Sequence, residues 1–105
     1  MTCMVVTGEQ PDAHDLPGHP EHAGRLRAVR RQLAEDGLLE RVRVEALQPV
    51  DLALLDAVHT PSYLAQIKAT ARLPAARLVE PDTYVTPQSY EIACLAAGGA
   101  VNAVD

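Results

Sequence analysis

The sequence predicts an α/β fold, a parallel sheet with flanking helices, that is begun but not completed within 105 residues. Two strand patterns, at residues 3–7 and 41–45, bracket one helical pattern. A strand, a crossover helix and a second strand make a parallel pair with a right-handed connection. Two strands are too few for such a sheet, which is normally covered on both faces.

Residues 3–7 are a short apolar run closed by Gly8 and read as a first buried strand. Residues 9–20, rich in Pro, Gly, Asp and His, read as a loop. Pro20 and Glu21 open a helix, since proline is tolerated in a first turn and an acid suits the helix dipole. Leu26, Val29 and Leu33 fall on one face. Arg25, Arg27, Arg30, Arg31, Gln32 and Glu35 cover the rest, and Gly37 is placed to cap the C-terminus.

Residues 41–45 alternate polar and apolar side chains, as a half-buried strand does, and Pro49 ends the run. Asp51 caps a short helix carrying Leu52, Leu55 and Val58. Thr60-Pro61 opens the next, with Leu64 and Ile67 inward. Residues 73–85 hold two prolines and no helical stripe, so they read as a loop. Thr86-Pro87 opens the last helix, which carries Ile92, Leu95 and the small run Gly98-Gly99-Ala100. Small residues let another backbone come close, so a partner element is expected there. The helix reaches Val104-Asp105 with neither a capping glycine nor a basic last turn. Helix and domain are therefore expected to continue past residue 105.

Composition narrows the function. The net charge of -5 argues against a direct grip on nucleic acid, which needs a basic surface. No apolar stretch is long enough to span a membrane, and the N-terminus has no secretory pattern. Cys3 and Cys94 stand far apart in no metal-ligand spacing, so free thiols and a cytoplasmic location are expected. With three Tyr and no Phe or Trp, the core must come from Leu, Val and Ala and is thin for this length. The isolated chain is therefore expected to be incompletely folded or self-associating.

No phosphate-binding glycine loop, Gly-x-Ser-x-Gly elbow or helical His-Glu-x-x-His occurs. The densest cluster is His14, Asp15, His19, Glu21 and His22 in the first loop. These are zinc-type ligands, but a polar loop whose histidines cap or hydrogen-bond is the commoner use of such residues. His59, before Thr60-Pro61, reads as a satisfied histidine near a cap. Asp82, between Pro81 and Thr83-Tyr84, is either a turn former or an acceptor for a substrate's amides. Tyr84 and Tyr90 read as half-buried packing residues.

Three stretches, in order, carry a resemblance. They are His14-Asp15-Leu16-Pro17-Gly18-His19-Pro20-Glu21 with Arg25-Leu26; Val58-His59-Thr60-Pro61-Ser62-Tyr63-Leu64; and Asp82-Thr83-Tyr84-Val85-Thr86-Pro87-Gln88-Ser89-Tyr90-Glu91 running into Ala96-Ala97-Gly98-Gly99-Ala100. Together they resemble the N-terminal portion of histone-deacetylase-like proteins, a family that includes acetoin utilization proteins and acetylpolyamine amidohydrolases. The chain departs from the family at His22-Ala23-Gly24, where Arg-Pro is common.

The resemblance implies an arginase-like fold and zinc-assisted hydrolysis of an acetyl-amide, with acetylated lysine or acetylated polyamine as substrate. It also implies that the catalytic histidines, the catalytic tyrosine and the zinc ligands lie beyond residue 105, in a missing C-terminal half of the domain. No catalytic or metal residue is then expected in this chain, which alone should bind no zinc and be inactive. Asp82 matches the family's rim aspartate and is the one expected substrate-binding residue. The competing expectation is a small non-catalytic interaction module derived from the family, docking through its small-residue helix.

Overall fold

The structure, a computed structural model, describes residues 3–104. Strand β1 (Met4–Thr7) leads through a single 3-10 turn (Gln10–Ala13) and a loop into helix α1 (Ala23–Glu35). Strand β2 (Arg43–Ala46) follows, then helices α2 (Leu52–Asp56) and α3 (Pro61–Ala69). A hairpin of β3 (Arg77–Glu80) and β4 (Thr83–Val85) precedes the long helix α4 (Ser89–Val104).

The expected parallel pair is present. β1 runs alongside β2 with Val5 opposite Val44 and Thr7 opposite Ala46, and α1 makes the crossover. Local capping sets most helix ends. Gly37 adopts φ 71° just past α1, a backbone conformation that a side chain would strain. Asp51 accepts from the Ala53 amide at 3.0 Å, and Thr60 from the Tyr63 amide at 3.1 Å.

The glycine face of α4 already has its partner, the chain's own segment 48–50. A Cβ on Gly98 would fall inside contact distance of the Gln48 carbonyl oxygen and 2.7 Å from the Val50 nitrogen. The Val50 amide donates to the Cys94 carbonyl at 3.0 Å, so the two backbones touch. Gly99 gives the same closeness to Leu47 and Val6, seating α4 on β1. A docking module would have needed this face free.

Three expectations need correction. α1 does not open at Pro20; it begins at Ala23, with His22 as its N-cap. The Asp15 carboxylate takes the Ala23 amide at 2.7 Å and His22 Nδ1 takes the Gly24 amide at 3.0 Å, so the free donors of the first turn are satisfied there. Residues 73–85 are not a plain loop. Arg77-Leu78-Val79-Glu80 and Thr83-Tyr84-Val85 pair antiparallel across the turn Pro81-Asp82, with a register shift between Leu78 and Glu80. Pro81 stands in the turn, where its fixed φ helps, and not within a ladder. Val58, expected on the second helix, lies past the end of α2 and is 74% exposed.

The core is small. Ala23, Val50, Tyr84, Cys94 and Leu95 are its buried apolar members, joined by Thr86 and Ser89. The expected apolar stripe of α1 is largely uncovered, with Leu26 43% and Val29 55% exposed. It walls an open groove of about 460 Å³ whose other sides are β1 and α4. Among the described residues no helix is long and apolar enough to cross a membrane, and Cys3 and Cys94 are free thiols. Asp105, where the sequence leaves α4 uncapped, and Met1-Thr2 lie outside the described residues.

Candidate functional site

Asp82 occupies the tip of the β3–β4 hairpin, and it is exposed. Its carboxylate accepts from the Thr83 hydroxyl at 3.2 Å, which leaves further lone pairs toward solvent. The turn reading and the acceptor reading of Asp82 are therefore compatible in geometry. The residue forms the turn, and its side chain faces outward.

The hairpin is fastened to the first loop. His19 Nε2 lies 2.9 Å from the Asp82 carbonyl oxygen, and the Glu21 amide donates to His19 Nδ1 at 2.9 Å. The second bond fixes the tautomer. Nδ1 must offer its lone pair, so the proton sits on Nε2 and is donated to Asp82.

Tyr84 supplies the other fastening. Its hydroxyl reaches the carbonyls of His14, at 3.2 Å, and of Glu21. Its ring stacks on His14 with centroids 4.4 Å apart at 11° and meets the edge of His19 at 4.8 Å. Burial raises the Tyr84 phenol above its ordinary value, so it stays a donor across the physiological range. The expected half-buried packing role understated Tyr84, which is buried and ties the hairpin to the first loop.

Below the rim, the start of α4 is tied to the same loop. Ser89 Oγ lies 2.6 Å from His14 Nδ1, accepts from the Thr86 amide at 2.7 Å and sits 3.1 Å from the Thr86 hydroxyl. The Gln88 amide in turn donates to Thr86 Oγ1 at 3.2 Å. Thr86 and Ser89 thus cap the helix reciprocally, as a capping box does. Burial lowers the His14 pKa, because a charged imidazole would lose water there, while Asp15 and Glu21 oppose the shift. A serine beside a histidine invites a nucleophile reading. Here the serine is buried in a cap and makes bonds a cap needs, so it is structural.

The first-loop cluster does not fit a metal ion. Among the described residues no group of three or more His, Cys, Asp or Glu converges on a point. His14 Nδ1 is engaged by Ser89, both His19 nitrogens by backbone, His22 Nδ1 by Gly24, and an Asp15 oxygen by Ala23. His59 is exposed at the α2–α3 joint, with its ring 5.3 Å from that of Tyr63 and away from the hairpin and the first loop. Nearer β1, Asp12 binds Arg30 at 2.6 Å, and that bond holds the Asp12 carboxyl below its usual range.

Of the residues singled out from sequence, Asp82, His14, His19, Glu21 and Tyr84 are brought together. His59 and Tyr90 are not part of this rim. Ser89 and Thr86 were missed as ties to the loop, although Thr86-Pro87-Gln88-Ser89 carries the spacing of a reciprocal cap.

Comparison with known proteins identifies the family. The family model for the histone deacetylase domain matches residues 19–105. A probable deacetylase of Methanothermobacter thermautotrophicus is 30% identical over 102 residues, covering 97% of this chain and 30% of the relative. A histone deacetylase-like amidohydrolase of Pseudomonas aeruginosa is 34% identical over 105 residues, covering 100% of this chain and 27% of the relative. The crystal structure of the HDA15 HD domain superposes with a TM-score of 0.86 at 27% identity, over 97% of this chain and 31% of that one. The chain thus spans about 30% of the length of the curated relatives it matches.

Proposed function

The chain belongs to the histone deacetylase domain family, and from that premise we propose that it is the N-terminal, rim-bearing portion of a deacetylase that hydrolyses an acetyl-amide. The fold is part of the deacetylase-type α/β fold. The substrate in this reading is an acetylated lysine or an acetylated polyamine, met in the cytoplasm, and acetoin utilization is within the family's range.

One observation carries the reading. A carboxylate stands exposed at the tip of a short hairpin whose backbone is pinned by His19 and Tyr84. An ionised carboxylate accepts two hydrogen bonds at once and can hold two neighbouring amides of an extended substrate. Asp82 would orient the substrate while the chemistry is done elsewhere. Zinc dependence is part of the proposal, with its ligands supplied outside residues 1–105. No described residue of this chain is given to the metal, and this segment alone should be inactive. The uncovered stripe of α1 and the open groove beside it would be closed by the rest of the domain.

The test is acetate release from an acetyl-lysine peptide by the complete domain, with the downstream portion supplied. Activity that a chelator abolishes and zinc restores supports the reading. A folded complete domain that releases no acetate from any acetylated lysine or polyamine contradicts it.

A further inference from the structure

We propose that His19 and Tyr84 are positioning residues for Asp82, fastening the first loop to the hairpin so that the carboxylate stands at a fixed place on the rim. The inference rests on the reading of Asp82 as a substrate-amide acceptor.

The hairpin cannot set that place by itself. β4 is three residues long and β3 four, and β3 is exposed along its whole length. An isolated two-stranded ribbon of this size is marginal in water. What holds the turn is contact with residues more than 60 positions away in sequence, through the His19 and Tyr84 hydrogen bonds.

Those bonds are directed at the residue that matters. His19 donates to the carbonyl of Asp82 itself, whose carbon is bonded directly to the Cα that bears the carboxylate side chain. The Glu21 amide holds the imidazole in the tautomer that can donate. Tyr84, two residues on, closes the same loop from beneath and stacks on His14. A grip on two amides needs both carboxylate oxygens in register with the substrate. A turn free to rock would pay that ordering on each binding event, which weakens binding and leaves the chemical step alone.

The experiment uses the complete domain and compares His19→Ala, His19→Gln, Tyr84→Phe and Asp82→Asn on an acetyl-lysine peptide and on a small acetylated amine. Losing one such hydrogen bond should raise the peptide KM about 3- to 10-fold with little change in kcat. The loss on the small amine should be several-fold smaller. His19→Gln keeps an N–H donor and should recover most of the peptide KM. Amide exchange across residues 77–85 should quicken in His19→Ala and Tyr84→Phe.

If Asp82→Asn weakens peptide turnover but His19→Ala and Tyr84→Phe change neither peptide KM nor hairpin exchange, the positioning role is overturned and the reading of Asp82 stands. If Asp82→Asn leaves peptide turnover intact, both fall. Equal losses on the two substrates, without rescue by His19→Gln, would make the fastening merely structural and overturn the proposal.

Discussion

Replacing Gly98 by alanine should destabilise the fold by about 3 kcal/mol, opposite in sign to its effect on an isolated helix. In a helix interior alanine is favoured over glycine by about 1 kcal/mol. Here the added methyl meets backbone only. It falls inside contact distance of the Gln48 carbonyl oxygen, 2.7 Å from the Val50 nitrogen and 2.8 Å from the Pro49 carbonyl carbon. No rotamer change relieves such contacts, so the overpacking cost belongs at the upper end of the usual range of about 1–3 kcal/mol. Moving residues 48–50 away also weakens the Val50-to-Cys94 hydrogen bond, worth about 1 kcal/mol. Gly99→Ala meets the end of the Leu47 side chain at 2.8 Å, which can turn aside, and should cost about 1 kcal/mol or less. Urea unfolding of the complete domain reads both as midpoint shifts at constant slope. A Gly98→Ala domain as stable as the parent, or more so, would refute the close approach of α4 to segment 48–50.

Other outcomes follow from the same contacts. Burial depresses the His14 pKa in the folded state, so its contribution to stability is present above about pH 6.5 and is lost as pH falls through the folded value. Unfolding midpoints between pH 7.5 and 5 should therefore drop, and His14→Gln should flatten that drop; an unchanged slope would count against the half-buried His14–Ser89 contact. Arg30→Leu should lower the unfolding midpoint more than Arg27→Leu, because Arg30 holds Asp12 at 2.6 Å and also reaches the Gly8 carbonyl, whereas Arg27 lies at 3.4 Å. The chain on its own, with Leu26, Val29, Leu52 and Leu78 exposed, should associate with rising concentration in sedimentation and unfold without a sharp transition. A monomer with one cooperative transition would speak against so thin a core.

What could be read in the sequence was local. The β1–α1–β2 order rests on periodicity, and Asp51, Thr60 and Gly37 declare their caps within three residues of where they act. The close approach at Gly98 was also legible, since only small residues permit it. The β3–β4 hairpin was not, because two prolines outweighed two short runs of strand formers. Pro74 in fact lies outside both strands and Pro81 in the turn between them. The start of α1 was misplaced for a related reason. The first amide of the helix, that of Ala23, is met by Asp15, eight residues back, and no local rule looks that far. The rim escaped sequence reading most completely. His14 meets Ser89, His19 meets Asp82 and Glu21 meets Tyr84 across 63 to 75 residues of chain, and only the fold brings them together. The family resemblance could single out Asp82; it could not show what holds it.

The most direct measurement of the central claim is kcat/KM of Asp82→Asn in the complete domain, on an acetyl-lysine peptide and on a small acetylated amine. Asparagine keeps the shape but removes the charge and exchanges one acceptor for a donor. Charge-assisted hydrogen bonds contribute about 1.5–3 kcal/mol each, so the peptide value should fall at least ~10-fold. The small amine, which has no neighbouring amides to hold, should be affected much less, and zinc content and melting temperature should be unchanged. Equal losses on both substrates, or a collapse in stability, would instead make Asp82 a turn residue. No loss on either would remove it from the site.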